Sequence, residues 1–278
     1  MRSVTILRVA AAGGVAAALT LAVVPGARAS VAKPASAGQP IRGLDISAYQ
    51  HRGDGIHWGA LAGEGIRFVA IKVSEGTYYA NPYYRSDARA AARSGLAVLP
   101  YVFANPARAG GTATARYAVT AEGSARGTLP LVVDLENNPY KKADDCYGLD
   151  VSAVIAWIAS FVSEAKSLVG HLPTIYTTTA WWRECTGNTA TFHRDTLWLA
   201  ALNGTPPAVP SPWQHWTFWQ YDNDGTLPGV GQTDLDYYQP TRALPALTPA
   251  KHKKKQHKPK QKKHATSGKK QAKGKKHA

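Results

Sequence analysis

Eight short strand-like runs, most of them apolar and most with polar or acidic residues at or near their ends, narrow the architectures open to this chain. They are 41–50, 67–73, 96–103, 129–136, 172–177, 196–201, 215–221 and 232–238. Runs of this length read as buried strands. Helical stretches separate several of them. One starts at Asn81-Pro82 and stops at Gly95, and another covers 112–124. A third is capped by Asp150 and carries Val151, Val154, Ile155, Ile158, Val162, Ala165 and Val169 on one face. Strands that alternate with helices favour a parallel sheet, and eight of them close most economically into a single α/β barrel. The later connections are too short for full-length helices.

The fourth run, Leu129 to Glu136, is the most informative, because it ends in Asp134 and Glu136. Spaced i and i+2, both side chains lie on one side of the strand, roughly 7 Å apart at about 3.3 Å of rise per residue. In an α/β barrel that end of a strand is the active-site mouth. Like charges held close among apolar walls push their pKa values apart, leaving one acid protonated and the other ionised. Glycoside hydrolysis needs that division. Alone, the pair fits equally well a strand entering a polar turn, with Asp134 capping and Glu136 solvated. Repetition favours chemistry: Asp45, Glu75, Tyr101, Tyr176, Gln220 and Asp234 also fall at or near strand ends. Beside them lie Tyr49, Tyr78, Tyr79, Trp181, Trp182, Trp216, Trp219 and Tyr221. Single aromatics are more often core than ligand platform, but with an acidic cleft they suggest an oligosaccharide groove.

The two ends differ in character from the body. Residues 1–29 combine Arg2 and Arg8, an apolar stretch from Val9 to Val24, and a small-x-small site ending at Ala29. This reads as a secretory signal peptide, followed by a flexible lead over 30–40. No later segment reads as apolar enough to span a bilayer, so a secreted protein off the membrane is expected. The tail, 248–278, carries 13 Lys and 4 His from Lys251 onward, without an acid or an aromatic, and should be disordered. Of 33 Lys and Arg, 13 lie in the tail and 3 in the leader, which leaves 17 against 18 acids. The net charge of +15 therefore belongs to the appendages and not to a nucleic-acid-binding body. Cys146 and Cys185 are expected to form a disulfide in a secreted chain. No Cys/His spacing suggests a metal site, and no cofactor is implied.

Taken together, the motifs resemble glycoside hydrolase family 25, the N-acetylmuramidases or lysozymes of the β/α-barrel type. The resemblance runs through GLDISAYQ (43–50), AIKVSEGT (70–77), LPYVFA (99–104), VVDLE (132–136), TIYTTTAWW (174–182), LWLAAL (197–202), WQYDNDGTLPGVG (219–231) and TDLDYY (233–238). It implies a flattened eight-stranded barrel over 41–247 with fewer than eight helices. It also implies cleavage of the β-1,4 bond between N-acetylmuramic acid and N-acetylglucosamine in peptidoglycan. On that likeness Glu136 is the general acid, Asp134 its neighbour, and Asp45 with Asp234 the rest of an acidic floor. Candidate substrate contacts are Glu75, Tyr101, Tyr176, Gln220, Tyr49 and Trp219. Two positions depart from the family pattern: Val102, where His is common, which removes one polar substrate contact, and Asp236, where Asn is usual. Retention and inversion both stay open, since Asp134 could orient the substrate's acetamido group and Asp45 could position water. The competing readings are a non-catalytic wall-binding barrel, a chitinase-like hydrolase and a polyanion binder driven by the tail. A monomer is expected, with the tail contacting anionic wall polymers.

Overall fold

The computed structural model describes residues 40–52, 55–211 and 213–240. The expected leader, nearly all of the lead, the basic tail and residues 241–247 lie outside the described residues.

Nine strands form one sheet: β1 (Ile41–Ile46), β2 (Phe68–Glu75), β3 (Tyr79–Ala80), β4 (Ala97–Phe103), β5 (Val132–Asp134), β6 (Thr174–Thr178), β7 (Thr196–Ala200), β8 (Phe218–Leu227) and β9 (Gly231–Tyr238). Eight of them run in the order β1-β9-β8-β7-β6-β5-β4-β2 and close through β1–β2 pairing, while β3 folds back on β2. All neighbours around the ring are parallel except those of β9, which is antiparallel to both β8 and β1. The β8–β9 connection is a tight turn closed by Val230 N–H to Leu227 O, which leaves no room for a crossover helix. Five α-helices occur among the described residues: α1 (Trp58–Gly63), α2 (Tyr84–Arg93), α3 (Gly111–Glu122), α4 (Val151–Val169) and α5 (Thr179–Thr186). This is a β/α barrel with fewer than eight helices.

Period-two alternation sends every other residue inward. At the closed end Phe68, Phe218 and Tyr238 fill the lumen, with ring centroids 5.4 Å apart for Phe68–Phe218 and 4.9 Å for Phe218–Tyr238. Gly43 makes that plug possible, because a Cβ there would sit 2.2 Å from the Phe68 ring. Ala70, Leu99, Val132 and Trp198 continue the buried interior upward. Outward residues meet the helices in two further clusters, one of α3, α4 and α5 with β4 to β7, the other of α1 and α2 with β1, β2 and β4. Val102 belongs to the first, so it faces the helix layer and not the cleft; the loss of a polar substrate contact expected there does not arise.

Local signals account for the helices. The Asp150 carboxylate accepts the Ala153 N–H at 2.8 Å, and Gly170 ends α4 at φ 84°. Its buried face is Val154, Trp157, Ile158, Phe161, Val162 and Ala165, whereas Val151 is exposed. α4 is long and apolar enough to cross a membrane, contrary to the expectation that no later segment is. Its apolar residues pack on the barrel instead. α5 was not foreseen. Thr178 caps it through the Trp181 N–H, and the helical turn buries Trp181 and Trp182 in the core. They, and Trp216, are therefore packing residues and not sugar platforms. Cys146, in the loop after β5, is bonded to Cys185 of α5. The expected disulfide is present, joining that loop to a helix.

Candidate active site

At the strands' C-terminal mouth, inward positions turn polar. A cavity of about 350 Å³ is lined by Asp45, Ser47, Lys72, Tyr101, Phe103, Asp134, Glu136, Tyr176, Trp198, Leu202, Gln220, Asn223 and Asp234. Strand register brings them together: Asp45 faces Asp234 across β1–β9, Lys72 faces Tyr101 across β2–β4, and Asp134 lies between Phe103 and Tyr176. Of the candidate residues, Asp45, Tyr101, Asp134, Glu136, Tyr176, Gln220 and Asp234 thus share one cleft. A larger groove of about 710 Å³ adjoins it, sharing Asn223 and Asp234 and lined on its outer side by the exposed Tyr49.

Glu75 stands at the rim. Its carboxylate pairs with Lys72 Nζ at 2.9 Å and accepts the Tyr78 hydroxyl at 2.6 Å and the Tyr140 hydroxyl. Burial pushes Glu75 up, but the bonds from Tyr140, Tyr78 and Lys72 outweigh it and hold the group below the usual range. Trp219 is not brought to the cleft. Its neighbour Gln220 points inward, so Trp219 points out, packs in the helix-side core and donates its indole N–H to Ala201 O at 3.0 Å.

A hydrogen-bond chain organises the floor. The Tyr176 hydroxyl donates to Gln220 Oε1 at 2.8 Å; Gln220 Nε2 then donates to Asp45 Oδ2 at 2.8 Å and to Asp234 Oδ2 at 3.2 Å. Burial raises Asp45 to about 6, opposed by its bonds with Gln220 and Asp236. Burial, together with the charges of Asp45 and Glu136, raises Asp234 to about 8. Asp134 is raised well above the usual carboxylate range by burial and then by the charge of Glu136, with Lys72 pulling it back. Burial also raises Glu136, against the hydrogen bond from Asp134 and the Lys72 charge. One oxygen of Asp134, Oδ1, is buried without a donor among the described residues. Asp134 and Glu136 bear directly on each other, and both sit above the usual carboxylate range. Tyr101 and Tyr176, raised by burial and by the surrounding carboxylates, remain neutral donors.

Sequence reasoning missed Ser47, Lys72, Phe103, Trp198, Leu202 and Asn223 as cleft residues. Lys72 had a readable signal, since alternation from Phe68 and Ala70 places it on the same face. Its ammonium is the cation that makes a crowd of carboxylates tolerable.

This barrel, with a buried carboxyl pair at its mouth and further acids around it, has the equipment of a glycoside hydrolase. Comparison with known proteins agrees. Residues 44–230 match the family described as Glycosyl hydrolases family 25. Lysozyme M1 of Streptomyces globisporus is 34% identical over 208 residues, 73% of this chain and 69% of that protein. An N,O-diacetylmuramidase of Arthroderma benhamiae is 38% identical over 209 residues, 72% of this chain and 86% of its own length. The crystal structure of a bacterial lysozyme from Streptomyces coelicolor superposes with a TM-score of 0.67 at 31% identity, covering 74% of this chain and 95% of that one. The chain belongs to glycosyl hydrolases family 25 and is a glycoside hydrolase of the lysozyme class.

Proposed function

We propose that this enzyme cleaves the β-1,4 bond between N-acetylmuramic acid and N-acetylglucosamine in peptidoglycan, with Glu136 as the group that protonates the leaving oxygen. The carrying observation is the close pair of buried carboxyls, Asp134 and Glu136, at the barrel mouth, each pushed above its usual range. Glu136 is the more open of the two, while Asp134 is only 6% exposed beneath it. In this reading the pair holds one proton, which passes to Glu136 and on to the glycosidic oxygen. Asp134, left as an anion, faces the positive charge that develops at the anomeric carbon. Asp45 and Asp234, held by Gln220, complete the floor, Asp45 as the group that orients water. Tyr49 flanks the adjoining groove, where a longer glycan would extend. Mass spectrometry of fragments released from purified walls tests the reading: reducing-end muramic acid is expected. A reducing-end glucosamine, or faster hydrolysis of chitin than of walls, overturns it.

The site of action is proposed to be outside the cytoplasmic membrane, as the leader-like residues 1–29 support. The tail from Lys251 to Ala278 is proposed as an electrostatic tether to anionic wall polymers. A polycation gains affinity by counterion release, and tethering raises the enzyme's concentration at its insoluble substrate. Removing 251–278 should leave hydrolysis of soluble oligomers unchanged and weaken binding to intact walls at low salt. Equal wall binding by both forms would discard the tether.

A further inference from the structure

Asp236 lies directly beneath the cleft, and nothing above assigns it a role. It sits on β9 in register with Gly43 of β1 and Gln220 of β8, and its side chain has no solvent exposure. Oδ1 accepts the indole N–H of Trp198 at 2.9 Å. Oδ2 is buried with no donor among the described residues. The titratable groups that act on this corner are Asp45 from β1, Asp234 from β9 itself, Tyr176 from β6 and Tyr221 from β8; Glu136 acts in turn on Asp45 and Asp234, and the cation Lys72, from β2, acts on Asp134 and Glu136. Gln220 cannot supply the missing donor, because its amide nitrogen already serves Asp45 and Asp234.

An ionised carboxylate in that position would be a buried charge with a bare oxygen beside two other acids, at a cost few folds tolerate. A carboxylic acid fits, since its hydroxyl can donate to the carboxylate next to it. We propose that Asp236 is a neutral acid serving as a positioning residue: its Oδ2–H is donated to Asp45, so that Asp45 is gripped by Gln220 on one side and by Asp236 on the other. The proposal rests on Asp45 taking part in hydrolysis as described above. Burial, with the Asp45 and Asp234 charges, holds Asp236 well above the ordinary carboxylate range, and the same bond opposes the upward push of burial on Asp45. The cleft then contains two acid pairs of similar construction. In each, the deeper member (Asp134 or Asp236) keeps a proton and the shallower one (Glu136 or Asp45) faces substrate.

Carbon-13 carboxyl NMR on the full-length enzyme tests this without reference to activity. In the wild type, Asp236 should show the shift of a protonated acid at pH 6, with its signal assigned by its loss in Asp236→Asn; an ionised Asp236 at that pH overturns the proposal. Asp236→Asn keeps an N–H donor for Asp45 and an oxygen for Trp198, so the Asp45 midpoint should stay in place. Asp236→Val removes the donor, and the midpoint should rise. Equal Asp45 midpoints in wild type and Asp236→Val, or an equal rise in both variants, would overturn it. In wall hydrolysis, Asp236→Val should lose about 10- to 100-fold in kcat, with KM nearly unchanged. Asp236→Asn should recover most of that loss, and an Asn variant as slow as the Val variant counts against the idea. A wild-type enzyme inactive on walls would sink the functional reading while leaving the NMR result to stand.

Discussion

The two ends of this barrel are built from the same strands yet do opposite things. At the closed end the inward positions are Gly43, Phe68, Phe218 and Tyr238; two residues further along β1 and β8 they are Asp45 and Gln220, and on β2 Ala70 gives way to Lys72. One step of the pleat separates an aromatic plug from a charged cleft. Burying carboxyls raises their pKa values and costs stability. Rings packed edge to face lower in the lumen contribute in the other direction. The difference teaches that the site is an expensive end carried by a cheap one, and substitutions at the two ends should have opposite signatures.

The largest contrast is expected from Glu136→Gln. An amide keeps the shape but has no proton to give, so wall lysis should fall by about 10² to 10⁴ while the melting temperature stays level or rises. Near-wild-type turnover in the folded variant would remove Glu136 as the acid. Phe218→Ala at the closed end should do the reverse, losing about 3–5 kcal/mol of stability while the folded fraction retains its specific activity. A variant that is stable but inactive would mean that the two ends are not separable. The gentlest probe is pH. Asp45, Asp134, Asp234 and Glu136 all have folded values above their unfolded ones. The folded chain therefore binds more protons than the unfolded chain, and stability falls as pH rises through the folded values. With Asp45 near 6 and Asp234 near 8, melting temperature should decline from about pH 5 to pH 8. Glu122 and Asp195, both raised to about 7 by burial away from the cleft, add to the same slope. Asp234→Asn should flatten its upper part; an unchanged slope would place its origin in Glu122 and Asp195, outside the mouth.

Most of the barrel strands were legible because they are short apolar runs, and the carboxyl pair because it ends one of them; β8 and β9, with polar residues along their length, gave a weaker signal. What was hidden depends on which face closes inward, and closure is a property of the ring and not of any strand. Trp219 and Gln220 are adjacent letters, yet only Gln220 reaches the cleft. Val102 and Tyr101 divide in the same way. Trp181 and Trp182 looked like platforms because they follow a strand end closely, whereas the Thr178 cap starts a helix there that turns both into the core. α1 is six residues long, too short for a periodic signal. Asp236 was visible as a residue, but its role depends on Trp198 and Asp45, which only the closed barrel brings beside it.

The pairing of β1 with β9 also has a consequence in time. Asp45 and Asp234 meet across that seam, so the first strand of the barrel must wait for the last before the cleft exists. Contacts this distant in sequence make folding slow compared with local hairpins and helices. A ribosome has to finish nearly the whole barrel before the chain can be an enzyme at all. Every shorter length lacks the strand that carries Asp234, and with it the completed cleft.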